Sequence, residues 1–233
     1  MKHLIIIYFC ILFCCSNSSF AQSDTVRWGK YLYIKTYIYE PGNSKYVYEY
    51  KDTLGNIIIP QGKYGQLGKP DEYGFINAWK KSIQEYPENN VGFIDIHENI
   101  LIPFHYSSVS PFKQNLACVK KNGKIGYINR KGETVIPFLY DSYKNFSSNG
   151  VVVQKKGNKE VLIDTLGNEI IDKNHTYQAI KDNFPHDPIL WIQKNGKWAF
   201  FDLKGNPLTP FIFDKIHPAN ICSYQPNLSQ IPH

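Results

Sequence analysis

Short apolar runs, cut at regular intervals by Asn-Gly, Lys-Gly or Leu-Gly pairs, run through most of the chain. In the clearest stretch, Leu116–Lys121 (LACVKK) reads as an alternating strand. Asn122-Gly123 then supplies a tight two-residue turn, because both of its positions take positive φ. Ile125–Asn129 reads as a second strand, Lys131-Gly132 as the next turn and Thr134–Pro137 as a third strand. Pro137 has no N–H to donate to a ladder, so it is expected to end that strand or to lie at its edge. The pattern predicts an all-β meander of three strands.

The meander recurs. Residues 48–60 (YEYKDTLGNIIIP) and 160–172 (EVLIDTLGNEIID) share Asp-Thr-Leu-Gly-Asn in one register, and residues 92–109, 126–143 and 199–216 carry variants of the same phrase. A marker Asp or Asn falls at Asp52, Asp95, Asn129, Asp164 and Asp202, with spacings of 43, 34, 35 and 38. The residue closing the apolar run, at Pro60, Pro103, Pro137, Asp172 and Pro210, keeps the same spacings. Two markers in step over five copies define a tandem array, in which neighbouring copies bury a continuous core. Between copies, Tyr106, Val109 and Phe112 recur as Tyr140, Tyr143 and Phe146, then as Tyr177, Ile180 and Phe184, and last as Phe213 and Ile216. A spacing held in every copy is read as packing of one face. About five three-stranded antiparallel units can form an open, curved, solenoid-like array or a closed, propeller-like ring.

The phrases Gly196-Lys197-Trp198-Ala199-Phe200-Phe201-Asp202, Ile136-Pro137 and Tyr140-Asp141 resemble the WG-repeat family over about residues 47–220. The sequence departs from that pattern where Ala199 follows Trp198, where Ile125 replaces the tryptophan and where copy four lacks the proline. The resemblance implies a tandem β-repeat protein of bacterial type and carries no catalytic residues.

The ends are different. Residues 1–21 combine Lys2, an apolar run from Leu4 to Cys15 and the small residues Ser19 and Ala21, the layout of a secretory signal cut between Ala21 and Gln22. The apolar run is too short for a permanent membrane span, and no second one follows, so no transmembrane segment is expected in the mature chain. Lipidation at Cys14 or Cys15 and an uncleaved anchor are the alternatives. Residues 22–46 read as a capping hairpin around Pro41-Gly42-Asn43-Ser44, 47–220 as the repeat domain and 221–233 as a loose tail. Without Lys2, 25 basic residues face 20 acidic ones, a net charge of +5. No run of five Lys or Arg occurs, which argues against nucleic acid. Cys118 and Cys222 alone would remain after export, too far apart in an open array to pair.

A catalytic constellation is not apparent. The marker carboxylates recur at one repeat position and are read as turn caps; His97, His105, His175, His186 and His217 lack metal-ligand spacing. No cofactor is expected. Two insertions, 81–91 and 172–188, break the register, and irregular loops on a regular scaffold often carry function. Trp79, Tyr86, His175, Phe184, His186 and Trp191 in or beside them are the candidate binding residues, with local packing as their other reading. The chain is expected to be a non-catalytic exported binding module whose partner is a protein or a cell-envelope component. A structural envelope role and an enzyme with an unrecognised site are the alternatives. The intact mass of the exported form should correspond to a chain starting at Gln22; a diacylglyceryl group on Cys14 or Cys15 would contradict this.

Overall fold

The computed structural model describes residues 20–39, 42, 44–81, 90–171, 177–182 and 189–216. No helix occurs among them, and the strands form several small antiparallel sheets, none closed into a barrel. The chain divides into two compact units, one ending at Gln66 and one beginning at Leu67.

The first unit contains β1 (Phe20–Trp28), β2 (Tyr31–Tyr39), β3 (Lys45–Asp52) and β4 (Ile57–Ile59), paired in that order. Strands β2 and β3 pair antiparallel, in register from Tyr31↔Asp52 to Ile38↔Lys45. Strand β3 runs on through the marker Asp52, so this pair and the first repeat copy share one strand. Ala21 and Gln22 lie near the start of β1, which pairs with β2. Tyr33 and Tyr50 pack with ring centroids 5.1 Å apart and are both buried. Pro60 directly follows β4 and ends it, as its missing N–H requires.

Strand β5 (Tyr64–Leu67) carries the chain across the division. In the second unit, β6 (Ile76–Lys80), β7 (Val91–Ile94) and β8 (Ile100–Tyr106) form the sheet of copy two. Copy three contributes β9 (Ser108–Val109), β10 (Ala117–Lys121), β11 (Lys124–Ile128) and β12 (Thr134–Tyr140). Copy four contributes β13 (Val151–Lys156) and β14 (Lys159–Asp164), and copy five β15 (Ala179–Asp182), β16 (Ile189–Lys194) and β17 (Lys197–Asp202).

These sheets are covered on both faces. Successive side chains of a strand point to opposite faces, and both faces of β11 meet protein. Ile125 and Tyr127 enter a core shared with Val152 and Ile163 of copy four. Ile128 enters a different core, shared with Val91, Phe93, Ile102 and Tyr106 of copy two. Copy four repeats the division, with Ile163 facing back and Leu162 facing forward onto Leu190, Ile192 and Phe201 of copy five. The stretch LACVKK therefore does not alternate. Leu116, Ala117, Cys118 and Val119 are all buried, because neighbours stand on both sides, and only Lys120 and Lys121 are exposed.

The segment after each proline also differs from a simple connection. Ser107 N donates to Lys120 O (2.9 Å) and Asp141 N to Lys155 O (2.7 Å), so the outgoing chain becomes the outer strand of the next sheet. Tyr106, Val109, Phe112, Tyr140, Phe146 and Ile180 are buried along this path, as the packing reading requires, whereas Tyr143 is 43% exposed.

Pro103 and Pro137 lie inside strands β8 and β12, not at their ends. Ile125 pairs with Tyr140 and Tyr127 with Ile136, so the single residue Gly126 faces Pro137, Phe138 and Leu139. Gly92 faces Pro103, Phe104 and His105 in the same way. This bulge frees the proline from the ladder. It also presses the partner backbone onto the glycine: a Cβ at Gly92 would lie 2.6 Å from Ile102 O, and one at Gly126 2.8 Å from Ile136 O. Where the glycine is missing, the third strand is weak. With Ala199 in copy five it is reduced to the bridges Trp198↔Phe213 and Phe201↔Pro207, and copy four, with Val161, has one bridge at Glu169 and no proline. Gly92→Ala and Gly126→Ala should each destabilise the protein by about 1–3 kcal/mol, the range for forcing extra atoms into packed sites. Ala199→Gly should cost about 1–2 kcal/mol for a different reason, added chain entropy and the loss of one buried methyl group. Urea unfolding midpoints check both; a Gly92→Ala or Gly126→Ala protein as stable as the wild type would contradict the assignment.

Candidate functional site

Each sheet of the second unit has two ends, and the marker turns lie at one of them. Asp95 Oδ1 accepts from His97 N (2.8 Å) and Asn99 N (2.9 Å), while Asn99 Nδ2 donates to Asp95 Oδ2 (2.8 Å). Asp52, Asp164 and Asp202 repeat this arrangement with Asn56, Asn168 and Asn206. In copy three the chemistry is exchanged: Asn129 takes the first position, and its Nδ2 donates to Glu133 Oε2 (2.7 Å). One carboxylate and one amide are kept in every turn. The Asn56 amide and neighbouring backbone N–H groups hold the Asp52 carboxyl below its ordinary range. Burial works against the Asp95 and Asp164 carboxylates, but the amides of Asn99 and Asn168 and backbone donors outweigh it, so both are also lowered. These carboxylates are committed to turns, as their recurrence suggested.

A further Asp-x-x-Gly turn stands outside the repeat spacing. Asp71 Oδ1 accepts from Tyr73 N and Phe75 N at 2.9 Å each, but Phe75 fills the position where the other turns have an amide or, in copy three, a carboxylate. Arg130, beside the marker of copy three, takes the open Asp71 Oδ2 instead. Its guanidinium also lies 4.1 Å from the Tyr73 ring centroid and 4.5 Å from that of Phe112. Phe112 in turn packs against Phe75 and Phe93 at 5.2 and 4.9 Å. Arg130 thus fastens copy three to the loop preceding β6. The Asp71-to-Gly74 spacing was the available signal for this contact; its offset from the repeat period hid it.

Beside Phe112 opens a groove of about 760 Å³, lined by Glu72, Phe112–Gln114, Lys144–Ser148, Val151 and Val152. Its wall is a reverse turn in which Gln114 and Asn115 both hold positive φ, at 50° and 62°. That is an unusual conformation for glutamine. Gln114 Nε2 donates to Ser148 O (2.8 Å), tying the turn to the corresponding loop of copy four. Beneath the groove, Tyr127 donates to Lys144 O (2.7 Å) and accepts from Gln154 Nε2, while Ser142 Oγ donates to Gln154 Oε1 (2.7 Å). Gln154 is fully buried, and this network satisfies it.

Neither of the two expected binding residues that the structure describes, Trp79 and Trp191, lines this groove. Trp79 is partly buried on β6 against the core between copies two and three. Trp191 is 3% exposed, 4.0 Å from Phe200 between centroids, and packs inside copy five. Tyr86, His175, Phe184 and His186 lie outside the described residues, as does Cys222. Cys118 is a free buried thiol, and burial pushes its pKa up to about 12.

Because folding lowers the Asp52, Asp95 and Asp164 values, their contribution is present above about pH 4, the ordinary carboxylate range, and is lost as pH falls through the lowered values. Asp164→Asn should cost about 0.5–1.5 kcal/mol near neutral pH. The double change Asp164→Asn/Asn168→Glu, which copies the turn of copy three, should recover most of it and restore the acid dependence. Unfolding midpoints at pH 7 and pH 3 check this; a double variant no better than the single one would contradict the exchange.

A comparison with curated proteins finds no match. The family model described as WG containing repeat matches residues 92–124, 125–159 and 162–198 in tandem. Each matched segment starts at or near a second strand and extends into or through the first strand of the following copy, in step with a chain that leaves one sheet to edge the next. The array over residues 92–198 belongs to the WG-repeat family.

Proposed function

We propose that this protein is an exported, non-catalytic binding module that holds a protein or cell-envelope partner in the groove beside Phe112. The observation that carries the reading is the contrast between scaffold and loops. The marker turns, shared cores and outgoing strands repeat from copy to copy, whereas the groove is walled by loops that do not. Lys113-Gln114-Asn115 and Ser147-Ser148-Asn149 occupy corresponding places with different chemistry. The positive φ of Gln114 is a local cost of a kind that gathers at functional positions. The groove's size is that of a small-ligand or side-chain pocket. Lys113 and Lys144 bring positive charge to its lining, and Phe112 and Phe146 bring apolar surface. The turn carboxylates, spent on hydrogen bonds within their own turns, support a binding role over acid–base chemistry.

The mature protein, immobilised and exposed to native envelope extract, should retain a defined partner. Lys113→Glu/Lys144→Glu should lose that partner while its unfolding midpoint stays at the wild-type value. Equal capture by both proteins, or by neither, would contradict the reading.

A further inference from the structure

We propose that the hairpin tips at the other end of the sheets form a basic ladder that binds a linear acidic polysaccharide. In the sequence the lysines look scattered; the fold collects them. Strand β10 starts beside the groove and ends at Lys120 and Lys121, and its turn returns at Lys124. The equivalent tip of copy four carries Lys155, Lys156 and Lys159, and that of copy five Lys194 and Lys197. Of these eight, all but Lys194 are exposed.

The tips are held side by side. Asp141 Oδ1 binds Lys124 Nζ at 2.5 Å in copy three, while its Oδ2 accepts from Gly157 N at 2.7 Å in the turn of copy four. Glu160, next to Lys159, accepts from Ile180 N (2.7 Å), and nearby Gln178 accepts from Gly196 N (2.7 Å) in the turn of copy five. Face-packed sheets stand about 10 Å apart, so the lysines repeat along the array at roughly that interval. Asp141, Glu169 and Asp214 engage Lys124, Lys156 and Lys197. Lys120, Lys121 and Lys159 form no ion pair with a carboxylate among the described residues, and Lys155 shares Asp141 with Lys124, so the tips keep more positive than negative charge.

The tip chemistry selects among polyanions. The turns are Asn122-Gly123, Gly157-Asn158 and Asn195-Gly196, so each rung pairs lysine with an exposed amide suited to hydroxyl groups. They hold no aromatic ring on which a base could stack and no arginine to grip phosphate in two places, the usual means of binding single-stranded nucleic acid. Nor do they carry an apolar side chain to enter a lipid surface. A row of point charges and amides at sheet spacing fits a chain of hydroxylated, carboxylated units.

Binding of the full mature protein to polygalacturonate, neutral dextran, an oligothymidylate and phosphatidylserine-containing vesicles, across a salt series, tests the ladder. Polygalacturonate should bind and dextran should not. Lys121→Gln/Lys155→Gln/Lys159→Gln should weaken polygalacturonate binding by about tenfold or more at low salt and flatten its salt dependence. The control Lys131→Gln/Lys204→Gln, in marker turns of the same unit at the opposite end of the sheets, should stay within about twofold of wild type, with both variants unfolding as the wild type does. An equal loss in the control, no polygalacturonate binding, or tighter binding of oligothymidylate or vesicles would overturn the proposal. The ladder is separate from the groove: the triple tip variant should still capture the groove's partner, so either reading can fail alone.

Discussion

The structure of the second unit depends on burial of each sheet from both sides. A central strand such as β11 sends Tyr127 forward and Ile128 backward, into two cores that no single copy can complete. A fully buried Leu, Ile or Val contributes about 1.5–3 kcal/mol, and here those residues draw on two neighbours at once. The apolar runs are therefore short and continuous, the copies must be adjacent, and polar residues are confined to the two ends of the sheets. Buried polar side chains are admitted where they are satisfied: Ser110 and Thr209 accept from Cys118 N and Phe200 N, and the Gln154 amide is met by Tyr127 and Ser142 across the joint between copies three and four.

That burial has a geometric consequence. The chain must leave one sheet and edge the next, and it does so through a bulge in which Gly126 faces Pro137 to Leu139. The glycine admits the partner backbone, and the proline occupies a position that needs no donor. Glycine and proline thus belong to one device, and copy four, with Val161, has lost both. Copy five, which keeps Pro210 but has Ala199, retains only bridges.

Much of this was legible in the residues. The marker spacing fixed the copies, Asn122-Gly123 and Asn195-Gly196 located the hairpins, and the aromatic spacing after each proline anticipated the packing of Tyr106, Tyr140 and Phe146. Other features depend on a partner that one strand's sequence does not name. LACVKK looks alternating until a second sheet covers its other face. Pro137 looks like a strand end until Gly126 makes room for it. The pairing of Asp71 with Arg130 joins loops 59 residues apart and outside the repeat period. The groove loops carry no motif, and the tip lysines form a row only after the copies stack. The expected loop residues were chosen for irregularity; of the two described, Trp191 serves the core of its own copy.

The claim that each sheet is stabilised from both sides is tested most directly by amide hydrogen exchange on Ile128→Ala. Ile128 belongs to β11 of copy three, but its side chain lies in the core shared with copy two. The account predicts that protection falls in β7 and β8 as well as in β10 to β12. Loss of protection confined to β10, β11 and β12 would show that copy three stands on its own core, and would contradict the account.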